Sequence, residues 1–226
     1  MNSSEEVYSE ERMRDMGQQL GHPSGNAGIE MAVVMNETNI GMTKSAIAAL
    51  QIQNNWSIAE AGHGNCGHLD YLLSQAADLR YSGLEISETM YNEAKHLNKD
   101  AVAKGRAKFY LYDGEKIPLP ENSVDGIFTV NTIYFWKDRI ALLNEFARVL
   151  KPGGKLAIGF AQKSFMEMLP FTKWNFNLVS TEDVLQLISQ SELEPVDVSN
   201  HVESVKTKAG DNVDREYSVV VCKRKK

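Results

Sequence analysis

The stretch WSIAEAGHGNCGHLDYLLSQAADLRYSGLEIS, Trp56 to Ser87, reads as a strand, a glycine-rich turn, a helix and a second strand ending in an acid. Ser57 to Ala61 is short and mostly apolar, as suits a strand covered on both faces. Gly62, Gly64 and Gly67 follow at G-x-G-x-x-G spacing, and Leu69, Leu72, Leu73 and Ala76 then recur at helical intervals. Glycines suit such a turn because the chain reverses tightly, a ligand approaches the backbone, and the helix packs close on the strand. The N–H groups at the helix start are then free to face that ligand. The second strand, Tyr81 to Ile86, delivers Glu85, 18 residues beyond Gly67. A carboxylate there can accept from both hydroxyls of a ribose. The unit therefore fits a nucleoside-bearing cofactor without choosing one, since nicotinamide dinucleotides and S-adenosylmethionine both offer an adenosine ribose.

A chain of 226 residues is long enough for one α/β domain with its own core and short for two. A net charge of −6 argues against nucleic acid as the main partner, which needs a basic surface. Lys223, Arg224, Lys225 and Lys226 are read as a solubilising tail. The first sixteen residues are charged and lack an apolar segment, and no run reaches transmembrane length, so neither a signal peptide nor a membrane partner is expected. Cys66 and Cys222 form neither a C-x-x-C pair nor a disulfide framework, and a cytoplasmic setting is expected. Oligomeric state is not legible.

Around the central unit, Met1 to Met16 is expected to be helical, Gly17 to Gly28 a loop, and Ile29–Asn36 and Thr43–Ile52 two helices broken around Asn39 to Gly41. This segment is expected either to cover the cofactor or only to pack on the sheet. Ser87 is read as the N-cap of a helix running to about Ala103, and Ala107 to Tyr112 as the third strand, ending in Asp113-Gly114. Ligands of such sheets sit at the carboxyl ends of the strands, which puts Asp113 on the same edge as Gly64 and Glu85. Val124 to Val130 is the fourth strand, followed by Asn131 to Trp136; Asp138 caps the next helix, which Lys151-Pro152-Gly153-Gly154 stops. Lys155 to Phe160 is the fifth strand. The aromatic-rich stretch Ala161 to Val179 is read as a lid, and Ser180 with Asp183 as a capping box. Two closing strands, Val196–Val205 and Glu216–Cys222, flank a polar turn at Ala209 to Asn212. That hairpin is antiparallel, whereas a plain dinucleotide fold would continue in parallel through a helix.

Four motifs carry a resemblance: E-A-G-H-G-N-C-G at Glu60 to Gly67, L-E-I-S at Leu84 to Ser87, Y-D-G at Tyr112 to Gly114, and R-V-L-K-P-G-G at Arg148 to Gly154. In this order they resemble the class I S-adenosylmethionine (SAM)-dependent methyltransferases, specifically the small-molecule group that includes the quinone-biosynthesis (type 11) methyltransferases. The resemblance implies an α/β, Rossmann-like, doubly wound seven-stranded sheet, mostly parallel with an antiparallel C-terminal strand. It implies a helical cap at 1–54 and a SAM-binding domain at 55–226 with a lid insertion at 161–180, forming one structural unit. It also implies SAM as cofactor, with Glu60 near the methionine amino group and Gly62, Gly64 and Gly67 forming the turn. Glu85 would take the ribose hydroxyls, Ile86 the adenine face, Asp113 with Gly114 the adenine amino group, and Asn131 the methionine moiety. The sequence departs from the family in having Glu60 where Asp is usual and Cys66 where a third glycine stands.

The methyl group of SAM is already activated, so the protein has mainly to align the nucleophile and exclude water, and no metal is required. His63 and His68 lie near the turn, but their i, i+5 spacing does not suit one helix face and no Cys or acid completes a zinc set; every histidine is read as structural or surface, and no catalytic base is named. Asn131 to Tyr134 has the spacing of the N-P-P-Y motif of amino-group methyltransferases, but Thr132 and Ile133 replace both prolines, which counts against DNA bases or glutamine as substrates. The expected acceptor is a small, partly apolar molecule held among Tyr134, Phe171, Trp174 and the N-terminal helices. Two other readings stand beside this one. A nicotinamide-dependent oxidoreductase explains the turn and Glu85 but gives Asp113 no task; a non-catalytic SAM-binding module fits the departures at Glu60 and Cys66.

Overall fold

Five apolar strands, separated in the chain by helices except between the third and fourth, all run parallel in the structure, a computed structural model describing residues 9–206 and 212–225. They are β1 (Ser57–Ala61), β2 (Arg80–Glu85), β3 (Ala107–Leu111), β4 (Val124–Val130) and β5 (Leu150–Ala161). β6 (Leu193–Lys206) and β7 (Asn212–Arg224) pair antiparallel, and β7 inserts between β6 and β5. The seven-stranded order is β3-β2-β1-β4-β5-β7-β6, the Rossmann-like sheet with an antiparallel closing strand that the motifs imply. The turn expected at Ala209 to Asn212 lies, apart from Asn212, outside the described residues, as do Met1 to Tyr8 and Lys226.

The order reverses at β1 and β4, so the carboxyl ends of these strands open a crevice. Their interiors are dry: Ile58, Ala59, Ile127 and Phe128 are fully buried. Helices α2 (Gly25–Ala49) and α4 (Glu88–Leu97) pack side by side on one face of the sheet, and α6 (Arg139–Val149) with α8 (Thr181–Ser189) on the other. The remaining α-helices are α1 (Glu10–Gly21), α3 (Leu69–Leu73), α5 (Lys99–Ala103) and the short α7 (Lys163–Met166) among the described residues.

Several boundaries differ from the sequence reading, each for a physical reason. The expected break at Asn39 to Gly41 is absent, and α2 is one helix of 25 residues. Glycine in a helix interior costs about 1 kcal/mol against alanine, yet at Gly41 any Cβ would overlap the Glu203 carboxylate, so the tertiary contact selects the glycine. The expected loop Gly17 to Gly28 is mostly helix too, because α1 runs to Gly21 and α2 starts at Gly25. The helix expected from Ser87 to Ala103 breaks at Asn98, whose side-chain amide donates to the carbonyls of Ala94 and Cys66, closing α4 and tying it to the glycine turn. α3 stops at Leu73, short of Ala76, as Ser74 and Gln75 side chains both take the Tyr71 carbonyl. Pairing of β5 begins at Leu150 instead of Lys155, with Lys151 to Gly154 bulged out between Val124 and Gly126 of β4.

The caps fall where the sequence puts them. Ser180 and Asp183 bond reciprocally as a capping box, Asp138 accepts from the Ala141 N–H at 2.9 Å, and the Ser87 hydroxyl accepts from Met90 N–H at 3.2 Å. Ser87 does more than cap, since its hydroxyl also donates to the Pro23 carbonyl and so fixes the α1–α2 connection over the sheet edge. Ser87→Ala is expected to destabilise the protein by about 1–2 kcal/mol, the upper range for a lost N-cap. Urea unfolding measures this, and a change below a few tenths would show that neither bond matters.

Candidate active site

Gly62 leaves the end of β1 with φ +73° and donates its N–H to the Leu84 carbonyl at 2.8 Å, so the turn begins stitched to β2. Gly64 has φ +57°, and a Cβ there would meet nothing within 4 Å; it would enter the cleft that Gly64 lines. That vacant space beside exposed backbone is what a closely approaching ligand needs. Cys66, standing where a third glycine is usual, itself adopts the left-handed region at φ +53°, and its buried thiol donates to the Tyr81 hydroxyl. Gly67 does not reach the cleft: it is exposed, and a Cβ on it would press at 3.0 Å on the Asn36 amide of α2. Its glycine lets α2 come near the turn.

The cleft measures about 840 Å³ with its mouth, and Glu85, Ile86, Asp113, Gly114 and Asn131 all line it. Glu85 is 4% exposed. Its Oε2 accepts from Gly64 N–H at 3.0 Å, and Oε1 from Ile86 and Ser87 N–H at 2.8 and 3.0 Å, which locks the carboxylate against the turn. An ionised carboxylate has about four acceptor positions, so capacity remains for a ligand hydroxyl. Asp113 is exposed; Oδ1 accepts from Lys116 and Glu115 N–H, both at 2.8 Å, and these bonds hold its carboxyl below the usual range. Oδ2 stays open. A Cβ on Gly114 would touch Ile86 at 3.3 Å, so the two residues form one surface. Asn131, at φ +56°, is held by its Oδ1, which accepts from Ala161 N–H at 3.1 Å.

Glu60 does not line this cleft but, with His63, Asn65 and His68, an adjoining polar pocket that shares Gly62 and Gly64 with it. Glu60 is buried and accepts from the Tyr81 hydroxyl at 2.5 Å and pairs with His68 Nε2 at 2.9 Å. The spacing leads one to expect no Cys or acid completing a zinc set with these histidines, yet donor atoms of Glu60, Cys66 and His68 lie within 4.8 Å of one another. Helix-face spacing does not reveal this cluster, because its members come from β1 and the turn. The atoms already bond to each other and to Tyr81, so the cluster is a polar plug beneath the turn. His63 lies beside it, Nδ1 against the Gly64 carbonyl at 2.7 Å and its ring edge-on to Phe109.

A second cavity, about 580 Å³ with its mouth, adjoins the cleft across Asn131 and Met35. Tyr134 and Phe171 line it, together with Phe165, Met166 and Phe176 from the expected lid segment. Trp174 does not; it packs against Gly17 of α1, where a Cβ would lie 3.0 Å from its carbonyl. Met35, Asn39, Phe135, Trp136 and Arg215 also border these cavities and were not singled out from sequence. Asn39, expected at a helix break, instead makes tertiary contacts, its Oδ1 accepting from Arg215 Nη1 and Asn131 Nδ2.

Residues 59–158 match the family described as "Methyltransferase domain". An uncharacterized methyltransferase, YdaC, of Bacillus subtilis (strain 168) is 30% identical over 127 residues, covering 55% of this chain and 67% of that protein. The 27-O-demethylrifamycin SV methyltransferase of Amycolatopsis mediterranei is 27% identical over 128 residues, covering 57% of this chain and only 47% of the relative, so the match spans about half of that protein's length. A geranyl diphosphate C-methyltransferase from Streptomyces coelicolor A3(2), solved with Mg2+, geranyl diphosphate and S-adenosyl-L-homocysteine, superposes with TM-score 0.69 at 13% identity, covering 92% of this chain and 89% of its own. At that identity the likeness speaks to the fold.

Proposed function

Because this chain belongs to the class I SAM-dependent methyltransferases, the family of its curated relatives, we propose that it transfers a methyl group from SAM to a small-molecule acceptor. The observation that carries the proposal is the continuous edge on which the open Gly64 turn, the locked Glu85 carboxylate, the Ile86–Gly114 surface, Asp113 and Asn131 line one cleft beside a second, apolar cavity. When bound, SAM supplies a methyl group already activated on a sulfonium. Glu85 would hold the ribose hydroxyls, Ile86 the adenine face, and the free Oδ2 of Asp113 the adenine amino group. Gly62 and Gly64 would bring the turn's backbone close, and Asn131 would border the reacting end. Glu60, engaged by His68 and Tyr81, would act indirectly by holding that turn in shape. Segment 161–180 and helices α1 and α2 would exclude water from the acceptor.

The acidic charge and the small cavity favour a small molecule over a nucleic acid, and among the described residues no helix is long and apolar enough to cross a membrane. Calorimetric titration with S-adenosylhomocysteine, and separately with NADH and NADPH, tests the cofactor. Saturable binding of the first alone is expected, and binding of a nicotinamide alone would make the chain an oxidoreductase. Glu85→Ala should weaken S-adenosylhomocysteine binding by roughly 1–3 kcal/mol, the usual cost of unsatisfied polar partners. Unchanged affinity in a folded variant would remove Glu85 from the site. Binding without methyl transfer to any member of a broad acceptor panel would favour a non-catalytic module.

A further inference from the structure

The second cavity is walled by Leu20, Phe135, Phe165, Met166, Phe171 and Phe176. Its rings are mutually packed, with Phe176 at 4.7 Å from Phe135 and 5.9 Å from Phe171, so the apolar wall is preformed. Arg215 is the only charged residue lining it among the described residues. Four of its five N–H donors are engaged: Nε and Nη2 donate to Glu203 Oε1 at 3.1 and 2.6 Å, Nη2 also to the Thr38 carbonyl, and Nη1 once, to Asn39 Oδ1 at 2.8 Å. Glu203 neutralises the charge, and glycine at position 41 of α2 is what lets that carboxylate approach. The Tyr134 hydroxyl is likewise taken, donating to the Ala161 carbonyl at 2.8 Å.

The bond from Arg215 also fixes the Asn39 amide. A guanidinium has donors only, so the atom of Asn39 facing it must be the oxygen. That oxygen also accepts from Asn131 Nδ2 at 3.3 Å. The Asn39 amide nitrogen is therefore turned away from both and has no partner among the described residues; its side chain borders the apolar cavity and a polar pocket that shares Met35, Gly62, Gly64 and Val130 with the cofactor cleft. The β6–β7 hairpin thus sets, through one side chain, the direction of a donor between the apolar cavity and that polar pocket.

We propose that the acceptor is an uncharged molecule with an apolar, ring-sized body and one oxygen that accepts from the Asn39 amide nitrogen, and that Arg215 is a positioning residue acting through Asn39. This rests on the methyltransferase reading of the cleft. A phosphate-bearing acceptor finds no unpaired cation in the cavity, and a bare hydrocarbon leaves the Asn39 donor unsatisfied; both are selected against.

The test uses the whole protein saturated with S-adenosylhomocysteine, each variant's own affinity being measured first, and three probes: 2-naphthol, naphthalene and 2-naphthyl phosphate. Wild type should bind 2-naphthol roughly tenfold or more tightly than either of the others, the order expected of one buried hydrogen bond. Asn39→Ala should abolish the preference for 2-naphthol over naphthalene, and Arg215→Met should reduce it. In the Asn39→Ala background, adding Arg215→Met should change that preference no further, because an effect relayed through Asn39 vanishes with Asn39. An equal loss from Arg215→Met in both backgrounds would overturn the positioning role, and a preference that survives Asn39→Ala would overturn the contact. Should Arg215→Met fail to fold, Asn39→Asp, which keeps the acceptor facing Arg215 and removes the donor, must lose the preference. Preferred binding of the phosphate would overturn the proposed class, whereas wild type that does not bind S-adenosylhomocysteine would overturn the methyltransferase reading and the proposal with it.

Discussion

Gly62→Ala is expected to abolish saturable S-adenosylhomocysteine binding and to lower stability together, whereas Gly64→Ala should abolish binding at a smaller cost in stability. Both glycines have left-handed φ, +73° and +57°, a conformation that costs about 1–2 kcal/mol with a Cβ present. They differ in what that Cβ would meet. At Gly62 it overlaps Thr132 Cγ2. Thr132 cannot swing aside freely, because its hydroxyl is bonded to Thr129 Oγ1 at 2.5 Å and accepts from Trp136 Nε1 at 3.0 Å. Overpacking of this kind adds about 1–3 kcal/mol, so the total at Gly62 is roughly 2–5 kcal/mol. At Gly64 the space is open, and the added methyl would fill part of the cleft. Urea unfolding and calorimetry on the two variants separate the effects. Wild-type affinity in a folded Gly64→Ala protein would take the turn out of the cofactor site.

What the sequence made legible was local. The turn, Glu85 and Asp113 each sit where a strand gives way to a loop, and one parallel sheet puts such places on one edge, so their meeting around a cleft follows from topology. The capping residues Ser87, Asp138 and Ser180 were legible for the same reason, since a cap is decided within three residues of itself. What stayed hidden depends on distant partners. The continuity of α2 through Asn39 and Gly41 is decided by Arg215 and Glu203, more than 150 residues away, and single-residue propensity reads the same pair as a break. Trp174 and Phe171 are three residues apart in an aperiodic stretch; the carbonyls of both lie beside Gly17, yet only Phe171 lines the cavity, a difference that no local periodicity encodes. Gly67 matched the spacing of a ligand-binding glycine while serving α2 instead.

The plug beneath the turn should make the stability of the protein fall as pH rises above neutrality, a dependence that Glu60→Gln should flatten. Burial alone would pull the His68 imidazole down from its ordinary value of 6.5, but the adjacent Glu60 charge and the hydrogen bond between them outweigh it, so the folded value is raised. A group raised on folding binds its proton more tightly in the native state. Its contribution is therefore complete below the unfolded value of 6.5 and is lost as pH climbs through the folded one. Cys66 and Tyr81 would add losses of the same sign only above their own unfolded values of 9.0 and 10.0, so the window between 6.5 and 8.5 isolates the histidine among members of the plug. Removing one member of a buried pair costs about 3–5 kcal/mol, and Glu60→Gln, which keeps an oxygen to accept from Tyr81, should lie at the low end of that range. Urea unfolding of wild type and Glu60→Gln at pH 6.5, 7.5 and 8.5 measures both slope and offset. If the two proteins share one slope, His68 is neutral beside Glu60, and the turn is held by packing and by Tyr81 alone.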